Sequence, residues 1–246
     1  MGEADLFHTL PPDPVLRVTR PRPVLPPDLD AAVERHWQAA RARDPALFNG
    51  DVFSADRFTP DGIAGHWTEF RRAVAQMREP ALFAALGVRP TAVGGVLAGD
   101  GFVVLGRRPA GAVYQQGEWQ LPPAGSLDSG AARADGTLDW RAQFLRELAE
   151  ELGLGPASVA GLTVLGAVEH AGSHVCDIGV AARLTVDADA VRAAHAAAGN
   201  EEYAALALVA PAALAAFLRD QRALGGRVTR QAPVFLRLAG LLPPQA

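Results

Sequence analysis

The sequence predicts an α/β fold, with a small amino-terminal α+β domain over residues 1–88 and a sandwich of helices about a mixed sheet over residues 89–246. Three observations carry that expectation. Strand-like and helical periodicities interleave beyond Arg89. A helical stretch stops at Gly87, where the pattern turns to β. The run RELAEELGL, Arg146 to Leu154, sets a charged helix between two glycine-containing turns.

Residues 1–27 are rich in Pro and Arg with short extended pieces such as VLRVTRPRPVLPP, and should form an irregular or sheet-edge arm, since proline removes a ladder donor. From Leu29 the run DAAVERHWQAARARD has helical spacing, and PALFNGDVFSADRFTPDG reads as turns and a hairpin. HWTEFRRAVAQMREPALFAALG reads as a second helical stretch. TAVGGVLAGDGFVVLGRR then gives two strands joined at Gly99-Asp100-Gly101. WQLPPAGSLDSG is a strand breaking into a Gly/Pro turn, after which a helix should start near Asp139 and stop at Gly153. Strands GLTVLGAVEH and VCDIGVAARLTV, a helix near Ala188 to Ala197, a strand ALALVA, and helices over Ala212 to Leu224 and Val234 to Leu241 complete the chain.

A chain of 246 residues can bury a sizeable core. Its net charge of −4 is mixed, with no basic tract, so neither nucleic acid nor an anionic membrane is favoured as a partner. All 23 basic side chains are arginine, which excludes lysine Schiff-base chemistry and a Walker lysine while leaving guanidinium groups suited to phosphate. A base-composition bias that also enriches Ala, Gly and Pro accounts for the same fact. Cys176 is the single cysteine, so no internal disulfide can form and a reducing compartment fits. MGEADLFHTLPPDP carries acid and proline where a signal peptide needs a basic start, and the longest apolar run, Ala204 to Leu218, is broken by Pro211 and falls short of the ~20 residues of a spanning helix. The expectation is a soluble, cytoplasmic protein.

Within RELAEELGL, Glu147, Glu150 and Glu151 lie one helical turn apart, so three carboxylates crowd one face and repel. Such a face wants a cation, although a solvated helix with Arg146 paired to Glu150 would look the same. The setting favours the cation. With its flanking turns this segment resembles the Nudix box, G-x5-E-x7-R-E-U-x-E-E-x-G-U with U aliphatic, and all nine residues of the second half match. The first half departs from it. Counting from Gly125, the expected Glu is Ala131, and Arg146 follows fifteen residues later where the pattern allows eight, which places a seven-residue insertion at about Ala132 to Leu138. Beyond the box, PALFNGDVF, VVLGRRPAG, LTVDADAVRAAHAAAGNEEY and ALALV occur in an order similar to the UDP-sugar pyrophosphatase branch.

The resemblance implies a Nudix α/β/α sandwich and hydrolysis of UDP-glucose or UDP-galactose to UMP and a sugar 1-phosphate. ADP-ribose or another nucleoside diphosphate derivative is the alternative substrate, because PAGSLD is also similar to loops of ADP-ribose pyrophosphatases. A noncatalytic nucleotide-sugar-binding module is the alternative of another class. The implied cofactor is Mg2+, with Mn2+ as a substitute, since a hard cation on oxygen ligands neutralises adjacent phosphates and acidifies water. Glu147 and Glu151, at i and i+4, are the first ligands, Glu150 completes the cluster, and Glu202 of GNEEY supplies a further ligand or base unless it is only a solvated turn. Arg146 is expected to orient a neighbouring carboxylate. Ala124 and Gly125 let the backbone approach, with the Ala124 carbonyl a possible ligand. Arg108, at a strand end, is the expected phosphate clamp, and Arg107 should face the other way. Phe48 and Trp67 are candidate uracil platforms, with core packing as the alternative. Tyr114, Gln120, Ser126 and Asp128 flank the box loop and are candidates to bind phosphate, ribose or sugar. The pattern His170-x3-His174-x-Cys176 lacks a fourth ligand and is not read as a zinc site.

Overall fold

The computed structural model describes residues 4–112, 114–223 and 227–244. In chain order the strands and helices are β1 (Leu6–His8), β2 (Val15–Val18), α1 (Pro27–Arg41), β3 (Asp51–Thr59), β4 (Gly62–Glu69), α2 (Phe70–Arg78) and α3 (Phe83–Leu86). There follow β5 (Thr91–Gly99), β6 (Phe102–Arg107), β7 (Trp119–Gln120), β8 (Ala124–Ser126), β9 (Thr137–Leu138), α4 (Trp140–Leu152), β10 (Val159–Glu169) and β11 (Cys176–Leu184). α5 (Ala188–Ala198), β12 (Ala205–Val209), α6 (Leu214–Ala223) and α7 (Gln231–Leu238) complete the order. No helix among the described residues is long and apolar enough to cross a membrane.

The chain divides into two compact units, one of Met1–Ala92, Ser126–Trp140 and Gly166–Ile178, the other of Val93–Gly125, Arg141–Leu165 and Gly179–Ala246. The unit that contains residues 1–88 thus also takes in two later segments.

In the first unit a four-stranded sheet runs β3-β4-β2-β9. β2 lies inside this sheet, parallel to β4 and antiparallel to β9, and is not the edge arm that its prolines suggested. The prolines sit outside the four paired residues, so no ladder donor is lost. The seven-residue insertion is likewise more than a loop, for its Thr137 and Leu138 are β9 itself. The expected helix from His66 begins only at Phe70, because His66 to Glu69 pair with β3, Trp67 opposite Phe53. α1 and α2 share a core of Trp37, Ala40 and Val74. β1 pairs with the end of β10, Leu6 opposite Glu169.

In the second unit the sheet order is β10-β11-β5-β6-β12, with β7 on β6 and β8 on β5. Adjacent strand residues point to opposite faces, and β5 shows what covers each. A Cβ built on Gly95 would meet Phe144 of α4 at 3.0 Å, whereas Val96 and Ala98 line a groove with Ala239 and Leu241, just beyond α7. Helices therefore cover both faces, and the mixed α/β sandwich expected from the interleaved periodicities is present. Gly153 ends α4 in the left-handed conformation at φ 68°, its amide bonded to the Ala149 carbonyl, as its place in the motif predicts.

Candidate active site

Two rows of α4 side chains build the site in the second unit. Phe144, Leu148 and Leu152 are fully buried at i, i+4 and i+8 and fix the helix to the core. The adjacent row, one residue behind, is Gln143, Glu147 and Glu151, so the packing that anchors the helix also draws these polar groups toward the interior. Gly125 passes directly over this row. A Cβ there would lie 2.0 Å from the Glu147 carboxyl carbon, so a side chain at this position would push the Glu147 carboxylate aside.

Glu151 is 4% exposed. Its carboxylate accepts the Ala124 amide at 3.1 Å and the Tyr203 hydroxyl at 2.6 Å. Burial pushes its pKa up to about 8 and the neighbouring Glu147 charge adds to the rise, against the opposing pull of Tyr203, the Ala124 amide and Arg108. Glu147 accepts the Gln143 side-chain amide, and Gln143 in turn accepts Arg146 at 2.6 Å. Arg146 thus acts on the Glu147 carboxylate through an intermediary.

Glu150 and Glu202 have other neighbours. The Glu150 side chain is 62% exposed, with Arg146 4.0 Å away. Glu202 is ion-paired with Arg108, the expected phosphate clamp. Among the described residues no group of three or more His, Cys, Asp or Glu side chains converges as a metal site. The four glutamates expected to share a cation are therefore not gathered into one group among the described residues. Like charges separate: the outer two sit beside arginines, and Glu147 and Glu151 remain neighbours.

Strand β6 ends at Arg107, one residue before the expected end at Arg108, and the Arg107 guanidinium lies 5.9 Å over the Trp119 ring. Gln120, buried on β7, donates to the Tyr203 oxygen at 3.1 Å, so its amide serves the protein itself. Tyr114 is half-buried in the turn between β6 and β7.

The other substrate candidates belong to the first unit. Phe48 is 79% exposed just before β3, and Trp67 is half-buried on β4, edge-on to Phe53 at 6.1 Å. Ser126 is half-buried at the end of β8. Asp128 caps a short 3-10 turn, accepting the Gly130 amide at 2.7 Å. His170 pairs with Asp177 at 2.9 Å, His174 with Glu169 at 2.7 Å, and Cys176 is fully buried.

Three residues of the site escaped sequence reasoning: Gln143, Asn200 and Tyr203. Gln143 had a signal, since it stands four residues before Glu147 on a face that periodicity buries. Tyr203 had only its place beside Glu202. Asn200, which donates to the Glu150 carbonyl at 2.7 Å and accepts the Glu202 amide, had none.

No family model and no curated protein sequence matches the chain. Solved structures that it resembles include Nudix hydrolases. Over 78% of this chain it is similar to protein DR0079 of Deinococcus radiodurans, at 14% identity, 99% coverage of that chain and a TM-score of 0.45. A MutT Nudix hydrolase from Burkholderia pseudomallei is similar over 61% of this chain and 96% of its own, at 18% identity and a TM-score of 0.40. A bifunctional NMN adenylyltransferase/ADP ribose pyrophosphatase from Francisella tularensis is similar over 71% of this chain and 50% of its own, at 10% identity and a TM-score of 0.41. All three TM-scores lie below 0.5, and the functional reading stands on the residues.

Proposed function

We propose that this chain is a Nudix-type hydrolase that cleaves the diphosphate of a nucleoside diphosphate derivative with a divalent cation, Mg2+ or Mn2+. One observation carries the reading: Glu151, buried beside Glu147, has its pKa raised to about 8 by burial and by that like charge. Two carboxylates held side by side, one of them buried, favour a cation. The donor set suits Mg2+, which keeps several waters and needs only one or two protein carboxylates beside phosphate oxygens. Glu147 and Glu151 would hold it; when bound, it neutralises phosphate charge and acidifies the attacking water.

The chain's own residues supply the rest. Arg146 and Gln143 orient Glu147, while the Ala124 amide bonds to Glu151. Arg108 offers a guanidinium that can bind a phosphate through two parallel hydrogen bonds once Glu202 yields it. Glu202, so released, is a candidate to orient or deprotonate water, as are the helix glutamates. Phe48, exposed, is a candidate to stack on a base.

Within this class the preferred reading is UDP-glucose or UDP-galactose, giving UMP and the sugar 1-phosphate in the cytoplasm. ADP-ribose is the second reading, since PAGSLD suits it equally. Incubation with UDP-glucose, UDP-galactose and ADP-ribose, with Mg2+ or with EDTA and products identified by mass, tests both. UMP and hexose 1-phosphate formed only with the metal support the first, AMP and ribose 5-phosphate the second. Tight binding without turnover of any of them would make the chain a noncatalytic nucleotide-sugar module and refute the hydrolase.

A further inference from the structure

Tyr203 serves no step of the proposed reaction, yet its side chain is buried at the site and bonded on both sides. It is 3% exposed, and its hydroxyl stands between the Gln120 amide at 3.1 Å and the Glu151 carboxylate at 2.6 Å. The amide donates to the phenol oxygen and the phenol donates onward, so the proton direction along the chain is fixed. β6 makes room for the ring. A Cβ on Gly106 would lie 2.4 Å from it, so a strand residue has given up its side chain for this tyrosine.

Neighbouring contacts repeat the arrangement. Asn200 ties the segment before Tyr203 to the Glu150 carbonyl, and Glu202 pairs with Arg108. Three of four successive residues, 200, 202 and 203, thus each engage a different part of the site. Only one of these contacts reaches a carboxylate proposed to face the cation.

We propose that Tyr203 is a positioning residue, whose hydroxyl, itself aimed by Gln120, holds Glu151 in the one orientation that binds the divalent cation. The inference rests on the hydrolase reading given above. A buried carboxylate with free rotation would spread its charge over several directions, whereas tying Oε2 to a short hydrogen bond leaves Oε1, which takes only a 3.4 Å bond from the Ala124 amide, for the cation. Outer-shell partners of this kind are worth about 10–100-fold in metal affinity. Tyr203 touches neither substrate nor cation, and acts only through Glu151.

The test is Tyr203→Phe in the full chain, which keeps the ring against Gly106 and removes only the hydroxyl. Mg2+ binding is measured calorimetrically without nucleotide, beside thermal melting and steady-state kinetics. We expect Mg2+ affinity to fall about 10-fold or more, kcat to fall at subsaturating Mg2+, and KM for the nucleotide to stay within about twofold. Gln120→Leu, which spares both the ring and the hydroxyl, should shift Mg2+ affinity in the same direction by less, and keeps the test open if the first variant folds poorly. In a Glu151→Gln background, Tyr203→Phe should cost nothing further. A folded Tyr203→Phe protein, or failing that Gln120→Leu, with parental Mg2+ affinity overturns the positioning role alone. A parental protein that neither binds Mg2+ nor hydrolyses any nucleoside diphosphate derivative overturns the hydrolase reading and this role with it.

Discussion

Glu151 and Glu169 are both 4% exposed, yet their chemistry is opposite. Burial raises the pKa of each, but at Glu169 hydrogen bonds from His174, Arg89 and His8 more than offset it and hold the carboxyl below its ordinary value. At Glu151 the direct donors are a phenol and a backbone amide, the nearest carboxylate is another glutamate, and the pKa rises to about 8. The first glutamate has its counter-charge built in. The second has only Arg108 nearby, already paired with Glu202, which is the contrast expected if Glu151 takes a cation as proposed.

The largest effect should come from breaking the contrast at its functional end. Glu147→Gln or Glu151→Gln removes charge but keeps shape, and should cut turnover by roughly two orders of magnitude or more, the scale of losing a group that stabilises transition-state charge. Glu169→Gln should leave turnover per folded molecule unchanged. Steady-state rates at limiting Mg2+ decide it, and a Glu169 variant as impaired as the Glu151 variant would erase the distinction.

Stability should answer the other way. Glu169→Gln strips a charged acceptor from Arg89, which is 30% exposed, and should cost about 1–3 kcal/mol. The pH profiles should diverge as well. The folded pKa of Glu169 lies below 4.5, so its contribution is fully present above that value and is lost as pH falls through it. The folded pKa of Glu151 is raised, so its contribution is present below 4.5 and is lost as pH rises toward and through about 8. Melting in EDTA from acid to alkaline pH should show the Glu169→Gln profile flattened below 4.5 and the Glu151→Gln profile flattened between 4.5 and about 8. Two profiles parallel to the parent's would contradict both assignments.

A smaller effect concerns the aromatic candidates. Phe48 is exposed, so Phe48→Ala should leave melting unchanged while weakening UDP-sugar binding by ~1–3 kcal/mol if it stacks on the base. Trp67 packs on Phe53, so Trp67→Ala should lower stability first. Calorimetric affinity beside melting distinguishes the two, and an unaltered affinity in a well-folded Phe48 variant removes it as a platform.

Local signals were legible in the sequence. Helix α4, its glycine stop and the β5–β6 hairpin depend on spacing and turn chemistry within a few residues, and Glu147 and Glu151 followed from one helical turn. Long-range relations were not legible. Tyr203 reaches Glu151 across 52 residues and β9 joins β2 across more than a hundred, so neither leaves a periodic trace. The box insertion read as a loop because two residues are too few to show a strand period. His66 to Glu69 read as helix because the helical pattern of α2 runs into them, and only pairing with β3 overrides it.

The finest distinction is between the two arginines at the end of β6. Arg107 lies over Trp119, whereas Arg108 is paired with Glu202 and stands near enough to Glu151 to pull its pKa down. If a substrate phosphate displaces Glu202 from Arg108, the planar fork of the guanidinium matters as much as its charge, and Arg108→Lys should lower kcat/KM even though the charge is kept. Arg107→Lys gives up stacking on an indole worth about 0.5–1 kcal/mol and should move melting slightly while leaving kcat/KM alone. Glu202→Gln adds a sign to the comparison. It frees Arg108 for phosphate, so KM should fall, and if Glu202 also handles water, kcat should fall with it. A larger loss of kcat/KM at Arg107 than at Arg108 would show that the phosphate approaches the other arginine, and that the Arg108–Glu202 pair is a structural contact like that of Arg89 with Glu169.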